Sequence, residues 1–173
     1  YSKHSLPFSP PIIKNRIFSK IPEYGDLVVF KTPADNRTDY IKRLIGFPGD
    51  EIQFISGDLY INNQKIKKNK SIKFETVMCG NEEKKINNFY EILPNGKKYD
   101  VVYDQIGTLL NTDKYIVPEN HYFFMGDNRD CSQDSRFLSS VGYVHRNNLV
   151  GKAQIIFFSN DTSIGSILKF WNW

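Results

Sequence analysis

The segment DYIKRLIGFPGD, residues 39–50, places a lysine, Lys42, directly after Ile41 and just before an apolar run. Lysine is strongly hydrated and is rarely buried without a partner. Either Lys42 points to water from the outer face of a strand, or apolar side chains surround it for the sake of its chemistry. Apolar surroundings disfavour the ammonium form and can lower a lysine pKa by about 3–5 units in a fully buried group. A lysine that is neutral near pH 7 can act as a general base.

A second stretch whose residues could do chemistry is MGDNRDCSQDSR, residues 125–136. It follows the apolar run YFF and is called the polar segment below. Most polar turns of this kind are held by Asx-type hydrogen bonds and have no further role. Here donors and acceptors are dense at a strand end, and Asp134 and Arg136 are spaced so that they can pair in an extended chain. A hydroxyl such as that of Ser132 can orient a lysine amine without restoring its charge. The two stretches together predict a Ser–Lys hydrolase in which Lys42 is a buried general base.

The elements that must position these residues are predicted to be strands. Short runs rich in β-branched and aromatic residues, separated by Gly, Pro and Asn, are typical of β structure. Strands are predicted over 26–31, 40–46, 51–55, 58–61, 64–66, 89–93, 98–103, 115–117, 122–125 and 151–158. A helical period is weakly present only over residues 166–173. The predicted fold is therefore mostly β.

A shift in composition predicts how the strands are grouped. From about residue 65 to residue 98 the chain is rich in Lys and Asn and poor in large apolar residues. This pattern favours a discontinuous catalytic β core made of residues 1–55 and 113–173. Residues 56–112 would form a smaller inserted β lobe.

Composition limits the classes of partner. The chain has 173 residues and a net charge of +4, which is compatible with an anionic membrane surface or a nucleic acid and specific to neither. The lysine run near residues 65–73 has few aromatic neighbours, so a solvated face is favoured over nucleic-acid binding. The three histidines lack metal-ligand spacing, and no metal or cofactor is predicted. For Cys131 a free thiol is the first expectation, and a bridge to Cys79 remains the alternative.

Four blocks in order carry a resemblance to a known family: GDLVVF (25–30), DYIKRLIGFPGD (39–50), YFFMGDNRDCSQDSR (122–136) and NLVGKA (148–153). In this arrangement the chain resembles bacterial type I signal peptidase, also called leader peptidase. The resemblance implies a LexA-like β core with a variable β insertion. It also implies a serine endopeptidase that removes signal peptides from exported preproteins at the bacterial cytoplasmic membrane, with its catalytic domain on the periplasmic side. The implied partners are preprotein signal peptides and the lipid surface, without nucleic acid or cofactor.

The resemblance assigns roles to individual residues. Lys42 is the general base, Ser132 orients the Lys42 amine, and Asp134 and Arg136 form a supporting ion pair. Two further residues are expected to shape the same segment, Asp127 and Arg129.

A groove for the substrate is also implied by the resemblance. The positions that match the groove of the family are Val29, Asp39, Tyr40 and Ile41. Small pockets there would suit the small side chains that precede a signal-peptide cleavage site.

The nucleophile is where the chain departs from the family. The family places it in an S-x-M-x-P block upstream of GDLVVF, whereas methionine occurs here only at positions 78 and 125. None of the upstream serines (Ser2, Ser5, Ser9 and Ser19) is followed two residues later by methionine. We therefore expect the serine and the membrane anchor to precede Tyr1, and the chain alone to be inactive.

Two other functions are compatible with the sequence, and two segments are candidates for contact with a membrane. A LexA-type self-cleaving domain would share the Ser–Lys chemistry, and a basic β-barrel that binds nucleic acid would use the lysine run. At the C terminus, SILKFWNW (166–173) carries large apolar residues with Lys169 among them, and two of these residues are Trp, which is enriched at membrane interfaces. We expect these residues and the Pro-rich arm (1–18) either to contact lipid or, for the C-terminal rings, to close the core.

Overall fold

The computed structural model describes residues 21–79, 82–103 and 110–153, and apart from one short 3-10 helix its regular elements are strands. The elements are β1 (Leu27–Lys31), β2 (Asp39–Gly46), β3 (Glu51–Ile55), β4 (Asp58–Ile61), β5 (Gln64–Lys65), β6 (Lys67–Cys79), β7 (Glu82–Ile92), β8 (Lys98–Tyr103), β9 (Tyr115–Ile116), β10 (His121–Met125), β11 (Val144–His145), the 3-10 helix (Arg146–Asn148) and β12 (Leu149–Lys152). The predicted mostly-β fold is thereby confirmed.

The strands are arranged in three antiparallel sheets. A five-stranded sheet has the order β11-β10-β2-β1-β12, a four-stranded sheet the order β5-β4-β3-β9, and a three-stranded sheet the order β6-β7-β8. The first of these holds both chemical stretches, because β2 contains Lys42 and β10 leads into the polar segment.

One apolar cluster contains side chains from all three sheets. Ile45 of β2, Ile52 of β3 and Val101 of β8 are fully buried in it. A second cluster under the five-stranded sheet contains Phe30 and Phe124, whose rings stack with centroids 4.8 Å apart. Strands from residues 56–112 thus pack against the same core as β2 and β3, and the division of the chain into a core and an inserted lobe stays a prediction.

Most predicted strands are found, and the differences have physical causes. The strands over 51–55, 58–61 and 98–103 have the predicted bounds. The long β6 and the first part of β7 were not predicted, because Lys, Asn and Glu dominate their sequence. In the structure these strands pair with each other, and β7 also pairs with β8. The predicted continuation of the last strand to residue 158, the weak helical period over 166–173 and the arm over 1–18 lie outside the described residues. Within the described part of the chain, no helix has the length and apolar character needed to span a bilayer.

The expected free thiol at Cys131 is wrong. Cys79, at the end of β6, and Cys131, in the polar segment, form a disulfide, with their Cα atoms 5.5 Å apart. The bridge could not be predicted from local patterns, because it depends on where the β6–β7 hairpin points. In the fold, the end of that hairpin lies against the polar segment.

Candidate active site

Lys42 lies in the part of β2 that has a strand partner on one side. β1 pairs with β2 from Asp39 to Arg43, whereas β10 pairs with β2 only from Arg43 to Gly46. Among the described residues, no strand pairs with the second edge of β2 over residues 39–42. An extended peptide can pair with such an open edge.

Apolar residues surround the aliphatic part of Lys42. Its cross-strand partner is the buried Val28, and the next pair on the same face is Phe30 and Tyr40. Side chains alternate between the two faces of a strand, so Lys42 and Tyr40 share the buried face of the sheet. The Lys42 amine lies 5.4 Å from the centre of the Tyr40 ring.

The Lys42 amine meets the polar segment through a hydrogen bond. Lys42 Nζ donates to Ser132 Oγ at 2.7 Å. Burial lowers the pKa of Lys42 below its ordinary value of 10.5; the Asp134 charge opposes this shift, the Arg136 charge adds to it, and the Asp127 charge opposes it. The net effect is a lysine that loses its proton more readily than one in water.

Gly126 provides the space in which this contact forms. A Cβ at position 126 would overlap the Ser132 hydroxyl and would lie 3.5 Å from Lys42 Nζ. The Gly126 N–H donates to Asp134 Oδ2 at 2.9 Å, which fixes the peptide beside the amine. A glycine is therefore required here for close approach.

Asp134 and Arg136, predicted to pair, form a buried bidentate ion pair. Arg136 Nε donates to Asp134 Oδ1 and Arg136 Nη2 donates to Asp134 Oδ2, both at 2.8 Å. Arg136 Nη2 also donates to the Arg129 carbonyl at 2.6 Å. The pair holds the ends of the polar segment together, and its role in catalysis stays a prediction.

Arg43 is a residue that the sequence analysis missed. It follows Lys42 on β2 and points to the opposite face, where its side chain is 2% exposed. Its Nε and Nη2 donate to the two carboxylate oxygens of Asp127, each at 2.7 Å, and its Nη1 donates to the Gly25 carbonyl. Adjacent residues of one strand thus hold the polar segment from two sides. The sequence signal for Arg43 was the alternation of side chains along a strand. If Lys42 points to one face of β2, Arg43 must point to the other.

Glu91 of β7 is a second residue missed by the sequence analysis. It forms a bidentate pair with Arg129 of the polar segment, and both side chains are 1% exposed. No sequence signal marks this pair, since Glu91 belongs to a Lys- and Asn-rich stretch and is 38 residues from its partner.

The residues assigned to the groove lie on the open-edged part of β2 and on its neighbour β1. Val29 and Ile41 are cross-strand partners on the face opposite to Lys42, and Ile41 is 52% exposed. Asp39 forms an exposed ion pair with Lys31 at 2.8 Å. The Tyr40 hydroxyl donates to the Gln133 side chain at 3.4 Å, on the Lys42 side. Three of the four residues lie on the open-edged part of β2 and Val29 lies on the adjacent β1, and their contact with substrate stays a prediction.

Part of the lysine run has structural partners. Lys65 and Lys68 both pair with Asp58, at 2.6 and 2.8 Å, and the Lys68 amine lies 4.6 Å from the centre of the Tyr103 ring. Over residues 21–79, 82–103 and 110–153, no group of three or more His, Cys, Asp or Glu side chains is arranged to hold a metal ion.

The chain is similar to known proteins over most of its length. The family described as "Signal peptidase, peptidase S26" matches residues 3–158. Signal peptidase I of Rickettsia bellii (strain OSU 85-389) is 42% identical over 184 residues, which cover 96% of this chain and 61% of that protein. Signal peptidase I of Rickettsia massiliae (strain Mtu5) is 44% identical over 184 residues, which cover 96% of this chain and 66% of that protein.

A crystal structure of a signal peptidase I from Enterococcus faecalis V583 superimposes with a TM-score of 0.47 at 24% identity, covering 78% of this chain and 98% of that one. The chain spans 61% and 66% of the length of the two Rickettsia relatives. With a family match over residues 3–158 and relatives above 40% identity, the chain belongs to the signal peptidase S26 family.

Proposed function

We propose that this chain supplies the general base and the substrate edge of a serine endopeptidase that removes N-terminal signal peptides from exported preproteins. One observation carries the proposal. The Lys42 amine, with a lowered pKa, lies 2.7 Å from Ser132 Oγ next to an open strand edge. Family membership supports the same activity.

The mechanism follows from a neutral lysine. Lys42 takes the proton of the nucleophilic serine hydroxyl, whose oxygen attacks the carbonyl carbon of the scissile peptide. The protonated Lys42 then gives its proton to the leaving amine, which leaves an acyl-enzyme that water hydrolyses. Ser132 fits an orienting role, because its hydroxyl is buried between Lys42 and Gly126. We propose that the nucleophile is a serine in an S-x-M-x-P block, which residues 1–173 do not contain.

The substrate proposed is an extended peptide paired with residues 39–42 of β2. Its side chains would alternate between the Val29–Ile41 face and the Tyr40 face. A segment with small residues at alternate positions before the scissile bond meets this requirement, as a signal-peptide cleavage site does.

The proposed location is the outer face of the bacterial cytoplasmic membrane, with preproteins and the lipid surface as partners. The Cys79–Cys131 disulfide supports the oxidising side of that membrane, because disulfides persist in the periplasm and are rare in the cytosol. The two segments proposed to contact lipid, residues 1–18 and 166–173, lie outside the described residues. No nucleic-acid partner is proposed.

The test is cleavage by the full-length protein of a synthetic peptide with Ala-x-Ala before the scissile bond. We expect cleavage after the second Ala, and none when that Ala is replaced by Phe. Lys42→Ala should abolish cleavage, because it removes the amine that is proposed as the general base, while His121→Ala and His145→Ala serve as matched controls that retain it.

Cleavage that survives in Lys42→Ala would overturn the general-base assignment. Cleavage of the protein's own chain at the same rate with or without peptide, followed by mass spectrometry, would favour a self-cleaving domain instead.

A further inference from the structure

The polar segment is attached to the three-stranded sheet as if it were a further strand. β8 is an outer strand of that sheet, and its Val102 N–H donates to the Asp127 carbonyl at 3.0 Å. The Arg129 N–H in turn donates to the Val102 carbonyl at 3.0 Å. These two hydrogen bonds to β8 therefore fix the position of the backbone on either side of Asn128.

A buried charge pair reinforces this attachment. Arg129 Nη1 donates to Glu91 Oε1 at 2.9 Å, and Arg129 Nη2 donates to Glu91 Oε2 at 2.7 Å. The hydroxyls of Tyr99 and Tyr103 donate to the same carboxylate at 2.5 and 2.7 Å. Burial opposes ionisation of Glu91, but the Arg129 charge and these hydrogen bonds outweigh it and hold the pKa of Glu91 below its ordinary value. Both partners are thus charged and fully paired, as a buried ion pair requires.

Arg129 transmits this attachment to the site. Its Nε donates to the Gly126 carbonyl at 3.2 Å, and its own carbonyl accepts from Arg136 at 2.6 Å. Gly126 is the residue that packs against the Ser132 hydroxyl next to Lys42. A shift of the Arg129 guanidinium therefore moves the peptide against which Ser132 is held.

We propose that Glu91 is a positioning residue for the Lys42–Ser132 pair and acts through Arg129 and Gly126. The proposal rests on the proposed function for its kinetic consequence. It assigns the three-stranded sheet a task at the site. The carboxylate fixes the guanidinium, the guanidinium fixes the Gly126 peptide, and Ser132 keeps the amine in the direction of the nucleophile.

The first measurement needs no substrate. The Nζ of Lys42 is titrated by ¹⁵N NMR in the wild-type chain and in Glu91→Gln. When Ser132 is no longer held in place, water reaches the amine, so the pKa of Lys42 should rise towards its ordinary value. An unchanged titration in Glu91→Gln would overturn the proposal whatever the outcome of the cleavage assay, which separates its failure from failure of the proposed function.

The second measurement is steady-state cleavage by the full-length protein. For Glu91→Gln we expect kcat to fall about 10-fold to 100-fold, as for a misplaced catalytic group, with KM changed by less than about twofold. Val101→Ala is the matched control, because the Val101 side chain of β8 is buried in the apolar cluster and takes no part in the hydrogen bonds of Arg129 described above. It should lower folding stability and leave kcat unchanged.

A double variant covers the case in which Glu91→Gln does not fold. Glu91→Leu with Arg129→Met replaces the buried pair by apolar side chains of similar size, a change that proteins often tolerate. It should fold and still show the low kcat, because the Gly126 carbonyl has lost its donor. A folded double variant with wild-type kcat would show that the pair is needed only for stability.

Discussion

Lys42 is subject to two opposing demands at the residue scale. Its amine must be neutral to accept a proton, and the burial that favours the neutral form makes the charged form costly in the folded state. Below the lowered folded-state pKa, the amine is charged in both folded and unfolded chains, so the cost of burying the charge is fully present. Above the ordinary value of 10.5 the amine is neutral in both, and the cost is absent.

Lys42→Met should therefore increase stability while it removes activity. We expect the free energy of unfolding at pH 7 to rise by about 1 kcal/mol, and kcat to fall on the order of 10³-fold. The stability difference from wild type should shrink as the pH rises through the folded-state pKa towards 10.5. Urea unfolding between pH 6 and about pH 10.5 measures it. A variant less stable than wild type at pH 7 would mean that the packing of the Lys42 side chain contributes more free energy than burial of its charge costs.

At the element scale, β2 is the strand that organises the site. Lys42 and Arg43 leave opposite faces of it, so one strand contacts the polar segment through an amine on one side and a guanidinium on the other. The Arg43 side chain is 2% exposed, whereas that of its partner Asp127 is 22% exposed. Removal of Asp127 therefore leaves a guanidinium that is shielded from water, whereas removal of Arg43 leaves a carboxylate that water can reach.

This difference predicts an asymmetry between two variants. Asp127→Ala leaves the buried Arg43 charge without its partner and should cost about 3–5 kcal/mol of folding stability. Arg43→Met leaves a carboxylate that water can reach, and should cost about 1 kcal/mol. The comparison is made from urea unfolding midpoints and slopes. Equal losses, or a larger loss for Arg43→Met, would show that Asp127 is not the main partner of Arg43.

The elements also show what a sequence can and cannot predict here. Lys42 and the polar segment were found because their signals are local: a lysine within an apolar strand, and a dense polar run after another. The Glu91–Arg129 pair was missed because it depends on how the three-stranded sheet docks, which no local pattern encodes. β6 was missed for a related reason, since its many Lys and Asn residues weaken the strand signal and its pairing with β7 is not encoded in a local pattern.

At the scale of the whole molecule, the three sheets share one apolar cluster and a disulfide joins the end of β6 to the polar segment. The bridge closes a loop with a sequence separation of 52 residues. A cross-link of this span removes conformational freedom from the unfolded chain, and the chain-entropy model values that at about 4 kcal/mol.

Loss of the bridge should therefore lower the free energy of unfolding while the fold is kept. We expect Cys79→Ser with Cys131→Ser to lose as much as about 4 kcal/mol of unfolding free energy, with a steeper dependence on urea because the unfolded chain expands. Wild-type protein unfolded in the presence of reductant is the matched comparison and should behave like the variant. Identical midpoints with and without reductant would mean that the bridge does not constrain the unfolded chain.

The same bridge makes residues 79 to 131 a closed covalent ring, with Lys42 on the chain leading into it and Ser132 on the chain leading out. A protease that hydrolyses one peptide bond within the ring converts it into an open path but releases no fragment. The two halves of the Lys42–Ser132 contact then remain in one molecule, linked through sulfur, until a thiol separates them.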